Sequence, residues 1–186
     1  MRYREAAPAD AAAIARLHAE SWRSAAHAAF LTPEYRDRGI YDERLAIWRE
    51  RMSAPAANQF VLLAEDGPRL AGFVCAYGDA DPQWGTLLDN LHVHREQQGS
   101  GLGRELMARA ARWCAATHPE GGMYLLVLET NEGARRFYER LGAADAGEGD
   151  AWYPPGGGFA SSRRYAWTAE QVPEIARLAR APGGVE

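Results

Sequence analysis

The sequence predicts an α/β fold of the α+β kind, in which helices flank a mixed and mostly antiparallel sheet. Three observations carry this. FVLLAE and LAGFVCAY bracket the turn residues Asp66-Gly67-Pro68, the pattern of an antiparallel hairpin. Thr86 to Val93 reads as a strand that runs straight into a glycine loop and then a stripe at helical spacing. Met123 to Glu129 (MYLLVLE) is apolar on both faces, as a covered parallel strand is, and the strand-helix-strand crossover it completes is right-handed almost without exception.

The remaining elements follow in chain order. Met1 to Glu5 reads as a short strand, and Pro8 with Asp10 starts a helix that carries Ile14, Leu17 and Trp22. Thr32-Pro33 is an N-cap and N1 pair for a second helical region, which Gly39 is expected to interrupt. Asp42 is then placed to cap a segment whose Leu45, Trp48 and Met52 share a face. After the hairpin, Gly78 to Gln83 reads as a polar loop.

Beyond the glycine loop, Leu102, Leu106, Ala110 and Trp113 recur as one apolar stripe, suited to packing on a sheet. Asn131 caps a further helix with Ala134, Phe137, Tyr138 and Leu141 on one face, and Gly142 ends it. Two strands are expected around Ala143 to Ala146 and Ser162 to Trp167, with the Pro154-Pro155-Gly156-Gly157-Gly158 loop between them. Thr168 and Gln171 form a capping box for a short last helix, and Ala181 to Glu186 should fray.

Composition narrows the classes. At 186 residues one core is expected, and a net charge of −4 gives no general attraction to nucleic acid or to an anionic membrane surface. The 47% apolar and 25% charged residues are those of an ordinary globular protein. All 21 basic residues are Arg, a sign of coding bias rather than of mechanism. Cys75 and Cys114 stand far apart in apolar stretches, which reads as two buried small hydrophobes rather than a zinc or redox pair. The charged N-terminus lacks a signal-type apolar segment, and no apolar run approaches a membrane span, so a cytoplasmic protein is expected.

The chemistry concentrates at Gly99, Gly101 and Gly103. Between a strand and a helix, backbone N–H groups can converge on one anion with the helix's partial positive end behind them, which suits a pyrophosphate. Taken alone, the same glycines would equally serve a tight turn. The dinucleotide fingerprint needs a third glycine where Arg104 stands, and the P-loop needs a lysine that this chain does not contain. What remains is Q-x-x-G-x-G at Gln98, Gly101 and Gly103.

From Leu87 to Gly142 the chain resembles the GNAT superfamily of acyl-CoA-dependent N-acyltransferases. The resemblance rests on L-x-V at Leu91 and Val93, the run Gln98-Gly99-Ser100-Gly101-Leu102-Gly103, the apolar strand after it, and N-x-x-A-x-x-F-Y-x-x-L-G from Asn131 to Gly142. It implies a GNAT-like sheet with two splayed central parallel strands, a domain over residues 1–168, and a short helical extension over 169–186. It further implies that acetyl-CoA is the cofactor, its pyrophosphate held by the backbone of Gln98, Gly99, Ser100, Gly101, Leu102, Gly103 and Arg104. Leu91, His92 and Val93 would pair with the pantetheine arm and offer an N–H to the thioester carbonyl. Asn131 would lie near cofactor or substrate as well as capping its helix.

Tyr138 matches the family's tyrosine near the cofactor sulfur, although a core aromatic is the plainer reading of that position by itself. A phenol near pKa 10 is a weaker acid than a thiol near 8.5, so a strong hydrogen bond to developing sulfur charge is expected ahead of full proton transfer. An alkylamine is neutral in only on the order of one molecule in a thousand at pH 7, so a base or water relay is needed. Many family members place a Glu where this chain has Leu87 and Leu88. Asp89 is the nearby carboxylate, on period-two spacing with Leu91 and Val93, and is the candidate base, with a solvated carboxylate as the alternative.

Arg95 stands where the family often has Pro. His92 and His94 are spaced to share a strand face but lack an evident third ligand, so no metal is expected. Trp22, Tyr35, Tyr41, Trp48, Trp84, Trp152 and Tyr153 fall in segments expected to surround the acceptor, though core packing would account for them too. The expected reaction is acetyl transfer to a primary amine, of a small molecule, in a ternary complex. A protein acetyltransferase and a non-catalytic acyl-CoA sensor are the alternatives. A homodimer is compatible with the sequence, and neither nucleic acid nor membrane is an expected partner.

Overall fold

In the computed structural model the described residues are 1–23, 25–152 and 159–179, apart from the side chains of Ala25 and Ala26. Tyr153, the Pro154-to-Gly158 loop and the tail from Ala181 lie outside them. The chain divides into two units. One comprises Met1–Arg4, Asn58–Tyr124 and the segment from Trp167; the other comprises Glu5–Ala57 and Leu125–Ala166.

The first unit holds β1 (Arg2–Glu5) up to Arg4, β2 (Gln59–Asp66), β3 (Arg69–Asp81), β4 (Gly85–Val93), the helix α4 (Leu102–Thr117), and the start of β5 (Met123–Leu128). β2 and β3 pair antiparallel around the Gly67-Pro68 turn, where Gly67 has φ 58. β3 and β4 are antiparallel, and β4 and β5 are parallel at Thr86↔Met123 and Leu87↔Tyr124. α4 buries Leu102, Leu106, Met107, Ala110, Ala111 and Cys114, a wider face than the single stripe, and packs on β2, β3 and β4. Trp113 stacks on Phe60 at 4.9 Å. The short α6 (Val172–Ala176) packs on α4 and buries Val172 and Ile175. Its entry is half of the expected box: the Gln171 side chain accepts from the Thr168 N–H at 2.9 Å.

The second unit holds α1 (Ala11–Trp22), α2 (Ala25–Ala28), α3 (Ile40–Ser53), the rest of β5, α5 (Glu132–Arg140), β6 (Ala144–Glu148) and β7 (Ser162–Trp167), whose last residue belongs to the first unit. α1 packs on α3, and buried Trp48 donates its indole N–H to His18 Nδ1 at 3.1 Å. β6 and β7 are antiparallel. In the sheet the strand order is β1-β2-β3-β4-β5-β7-β6, seven strands with one parallel pair, a mixed and mostly antiparallel sheet as the sequence predicts.

Two local expectations are corrected. Gly39 does not interrupt the second helical region; a π turn over Tyr35–Gly39 leads directly into α3, so Asp42 lies inside the first turn and caps nothing. A Cβ on Gly39 would stand 2.6 Å from the Tyr35 ring, so the glycine is there for a close approach and not as a break. Gly78 to Asp81 is strand rather than loop. β3 runs on until Asp81 pairs with Gly85, and the Asp81 carboxylate ends it by accepting from the N–H groups of Gln83 and Trp84.

Candidate functional site

In the first unit, β4 delivers the chain to the glycine loop. A short 3-10 turn, Arg95–Gln97, follows His94, whose Nδ1 accepts from the Glu96 N–H at 3.3 Å. The turn is tied to the β2–β3 hairpin by Gln97 to Asp66 at 3.3 Å and by the Arg69–Glu96 ion pair at 3.0 Å. Arg95 is exposed. Gln98 reaches back to donate to the Val93 carbonyl at 3.3 Å. Gly99 and Gly101 then take left-handed conformations, φ 79 and φ 88, which a residue with a Cβ adopts only at a cost.

Gly101 is the N-cap of α4, and the first intrahelical bond runs from the Glu105 N–H to its carbonyl at 3.1 Å. Ser100 Oγ donates to the Gln97 carbonyl at 2.6 Å and accepts from the Leu102 N–H at 3.4 Å. The N–H groups of Gly99, Gly101, Gly103 and Arg104 have no acceptor among the described residues. Four backbone donors therefore gather in the loop and first turn of a 16-residue helix, where the helix dipole also favours an anion. The loop residues from Gln98 to Gly101 are exposed, so a ligand can reach these donors.

Leu91, His92 and Val93 form the last three residues of β4, each half-buried. Leu91 pairs with Val74 and Val93 with Gly72, so these two share a face; His92 pairs with Phe73 and lies against its ring at 5.2 Å. The β3–β4 register skips one residue. Cys75 pairs with Asn90 and Ala76 with Leu88, so Asp89 is the extra residue of a β-bulge. The alternation that put Asp89 on the face of Leu91 and Val93 is broken at that point. Bulges redirect a side chain, and Asp89 is half-buried there. The parallel ladder to β5 covers two registers at the beginning of β4, leaving Leu88 to Val93 beyond it.

In the second unit, Asn131 caps α5, its side-chain oxygen accepting from the Ala134 N–H at 3.2 Å. Tyr138 lies on the same helix, on the face shared by Ala134, Phe137 and Leu141, all half-buried. Although the residue is half-buried as a whole, its phenol end is shielded from water, and this desolvation pushes the hydroxyl's pKa well above the usual value of 10. The group is thereby held as O–H, a donor throughout the working pH range.

The same unit gathers five of the predicted aromatics. Trp22 and Trp152 meet edge to face at 4.9 Å, Tyr35 and Tyr41 pack on the same cluster, and Trp48 is fully buried. His27, which the sequence did not single out, stacks on Trp22 at 5.4 Å, and burial lowers its pKa to about 4. Arg44 lies over the Trp22 ring at 4.4 Å. Neither has a local signal in the sequence. Trp84 stands in the β3–β4 turn of the first unit, and Tyr153 lies outside the described residues. No group of three or more metal-ligating side chains converges among the described residues, and no described helix is long and apolar enough to cross a membrane.

The model of the acetyltransferase (GNAT) family matches residues 11–143 of the chain. The chain belongs to the GNAT family. It is accordingly an acyl-CoA-dependent N-acyltransferase, of a family that uses acetyl-CoA. Solved GNAT structures share its fold. A GNAT-family protein from Desulfovibrio desulfuricans is 24% identical with a TM-score of 0.68, over 90% of this chain and 98% of that one. YncA from Salmonella typhimurium, solved with its cofactor acetyl-CoA, is 23% identical with a TM-score of 0.62, over 91% and 94%. A variant of the spermidine N-acetyltransferase SpeG from Vibrio cholerae is 17% identical with a TM-score of 0.66, over 92% and 97%.

Proposed function

We propose that this GNAT protein moves an acetyl group from acetyl-CoA to a primary amine of a small molecule, by direct attack in a ternary complex. The observation that carries the reading is the set of four N–H donors at Gly99, Gly101, Gly103 and Arg104, shaped by two left-handed glycines. A pyrophosphate fits such a cradle in charge and in hydrogen-bonding capacity. Residues 98–104 would hold it, and Leu91, His92 and Val93, past the end of the parallel ladder, would line the pantetheine arm. Bound acetyl-CoA would supply an activated thioester and a thiolate leaving group.

The chain's own residues take the other roles. Tyr138, kept protonated by desolvation, donates a hydrogen bond toward developing sulfur charge; its raised pKa makes complete proton transfer to a thiolate still less favourable than for a free phenol. Asp89, displaced from the ladder at its bulge, accepts the proton of the incoming ammonium through water. Asn131 positions the first turn of α5 and so the tyrosine two turns on. Direct transfer is supported by the cysteines. Cys75 and Cys114 are fully buried, and burial pushes the Cys114 thiol up, so neither offers an accessible thiolate to carry the acetyl group.

The test is a thioester-consumption screen with acetyl-CoA and a panel of polyamines, aminoglycosides and short peptides. A small-amine hit supports the reading, and a spermidine-like polyamine belongs in the panel because one relative of this fold acts on spermidine. Exclusive turnover of peptides would replace the acceptor class. Cofactor binding without turnover across the panel would argue for a sensor.

A further inference from the structure

We infer that Gly72, on β3 and outside every cofactor-binding motif, is a positioning residue for the acyl-CoA site; this rests on the reading of the glycine loop just given. Gly72 lies beneath two elements at once. A Cβ built there would come within 2.9 Å of the His92 carbonyl oxygen on β4, 2.9 Å of Leu106 Cδ1 and 3.4 Å of Leu102 Cδ2 on α4. His92 belongs to the strand assigned to the pantetheine arm, and Leu102 is the first residue of the helix whose N-terminal donors are assigned to the pyrophosphate.

The fit at this point is closed. Leu102 is 5% exposed and Leu106 is fully buried, so neither side chain has open space to turn into. Leu106 Cδ1 is the end of a flexible side chain, but the His92 oxygen is backbone, paired through the Gly72↔Val93 and Phe73↔His92 registers. An added methyl must therefore shift the end of β4, or lift the first turn of α4, by a few tenths of an ångström. Gly72 is not among the glycines with a left-handed backbone, so alanine there meets a steric obstacle and no dihedral one.

A stabilising role alone and a positioning role differ in what they move. Gly72→Ala is expected to weaken CoA binding and raise the acetyl-CoA KM by about tenfold, the size expected when a small displacement forfeits roughly one hydrogen bond's worth of contact with a charged ligand. Its kcat at saturating cofactor should stay within about twofold. Adding Leu106→Val, which removes the methyl facing Gly72, should recover part of the lost affinity.

Calorimetric titration of wild type and variants with CoA, followed by acetyl-CoA kinetics, decides the matter, with thermal melts confirming that each is folded. Tight binding by wild type with unchanged binding by folded Gly72→Ala overturns the inference while leaving the loop assignment intact. A matched loss of kcat and affinity that Leu106→Val does not relieve also overturns it, since that is general loosening. Wild type that ignores CoA sinks the loop assignment and this inference with it. If Gly72→Ala melts too low for assay, Gly72→Ala/Leu106→Val is compared with Leu106→Val. Weaker CoA binding by the pair supports the inference, and equal binding overturns it.

Discussion

Replacing Gly101 with alanine places a Cβ on a residue at φ 88 and ψ 0, the N-cap of α4. Nothing lies within 4 Å of that Cβ, so the perturbation is one of backbone preference and not of collision. A left-handed non-glycine residue costs about 1–2 kcal/mol. That cost must appear in any complex in which the loop keeps its shape. Without ligand it divides two ways: the loop holds and the protein is less stable, or the loop relaxes and the protein is unaffected until ligand forces it back.

The two measurements are therefore linked. If the loop holds, the melting temperature falls by a few degrees, at roughly 2–4 °C per kcal/mol for a chain of this size, less the gain of about 0.4–1 kcal/mol from a stiffer unfolded chain. CoA affinity is then unchanged. If it relaxes, melting holds or rises slightly through that same gain, and affinity falls about 5- to 30-fold, the equivalent of the same 1–2 kcal/mol. The assay pairs thermal denaturation with calorimetric CoA titration of wild type, Gly101→Ala and Gly99→Ala, the last probing φ 79. Unchanged melting together with unchanged affinity in both variants would refute the assignment of this loop as a ligand cradle that depends on its left-handed turns.

Three other outcomes are expected. Tyr138→Phe should lower kcat about 10- to 100-fold, the range for loss of one hydrogen bond to a charged group, with CoA affinity within twofold. Because desolvation raises the phenol above its usual pKa, wild-type kcat should show no Tyr138-dependent fall between pH 8 and 10, and a basic limb that vanishes in Tyr138→Phe would contradict this. Asp89→Asn should cut kcat/KM for the amine by about 10²-fold at pH 7, within the usual range for a general base, and less as the pH rises and free amine accumulates; an effect independent of pH would remove the base role.

His27 bears on stability. Its pKa is lowered from 6.5 to about 4, so the unfolded chain binds the proton more readily, and the stabilisation from keeping the ring neutral is complete above pH 6.5 and lost as pH falls toward 4. A shift of that size corresponds to about 3 kcal/mol. His27→Phe should flatten the melting profile between pH 7 and 4, and an unchanged acid slope would show that other groups govern it.

Much of the fold and the loop was legible because its determinants are local. The hairpin follows from turn residues between two apolar runs, α4 from apolar spacing after a strand and glycines, and the start of α5 from an asparagine three residues before the amide it caps. Gly99 and Gly101 were readable as well, since a left-handed turn excludes most other residues.

What the tertiary structure decided depends on partners distant in sequence. The bulge at Asp89 arises from how β4 registers against β3, and a period-two reading of one strand cannot find an inserted residue. Gly39 looked like a break and is a contact surface for Tyr35; Gly72 looked like an ordinary strand glycine and sits under His92, Leu102 and Leu106. The raised Tyr138 hydroxyl and the lowered His27 imidazole follow from exclusion of water, a property of the packed molecule and of no segment by itself. By itself, then, the sequence determined the elements, their order and the loop that suits an anion, because those rest on neighbours along the chain. Only the tertiary structure decided register, close approach and desolvation, because each is set by atoms that meet across it.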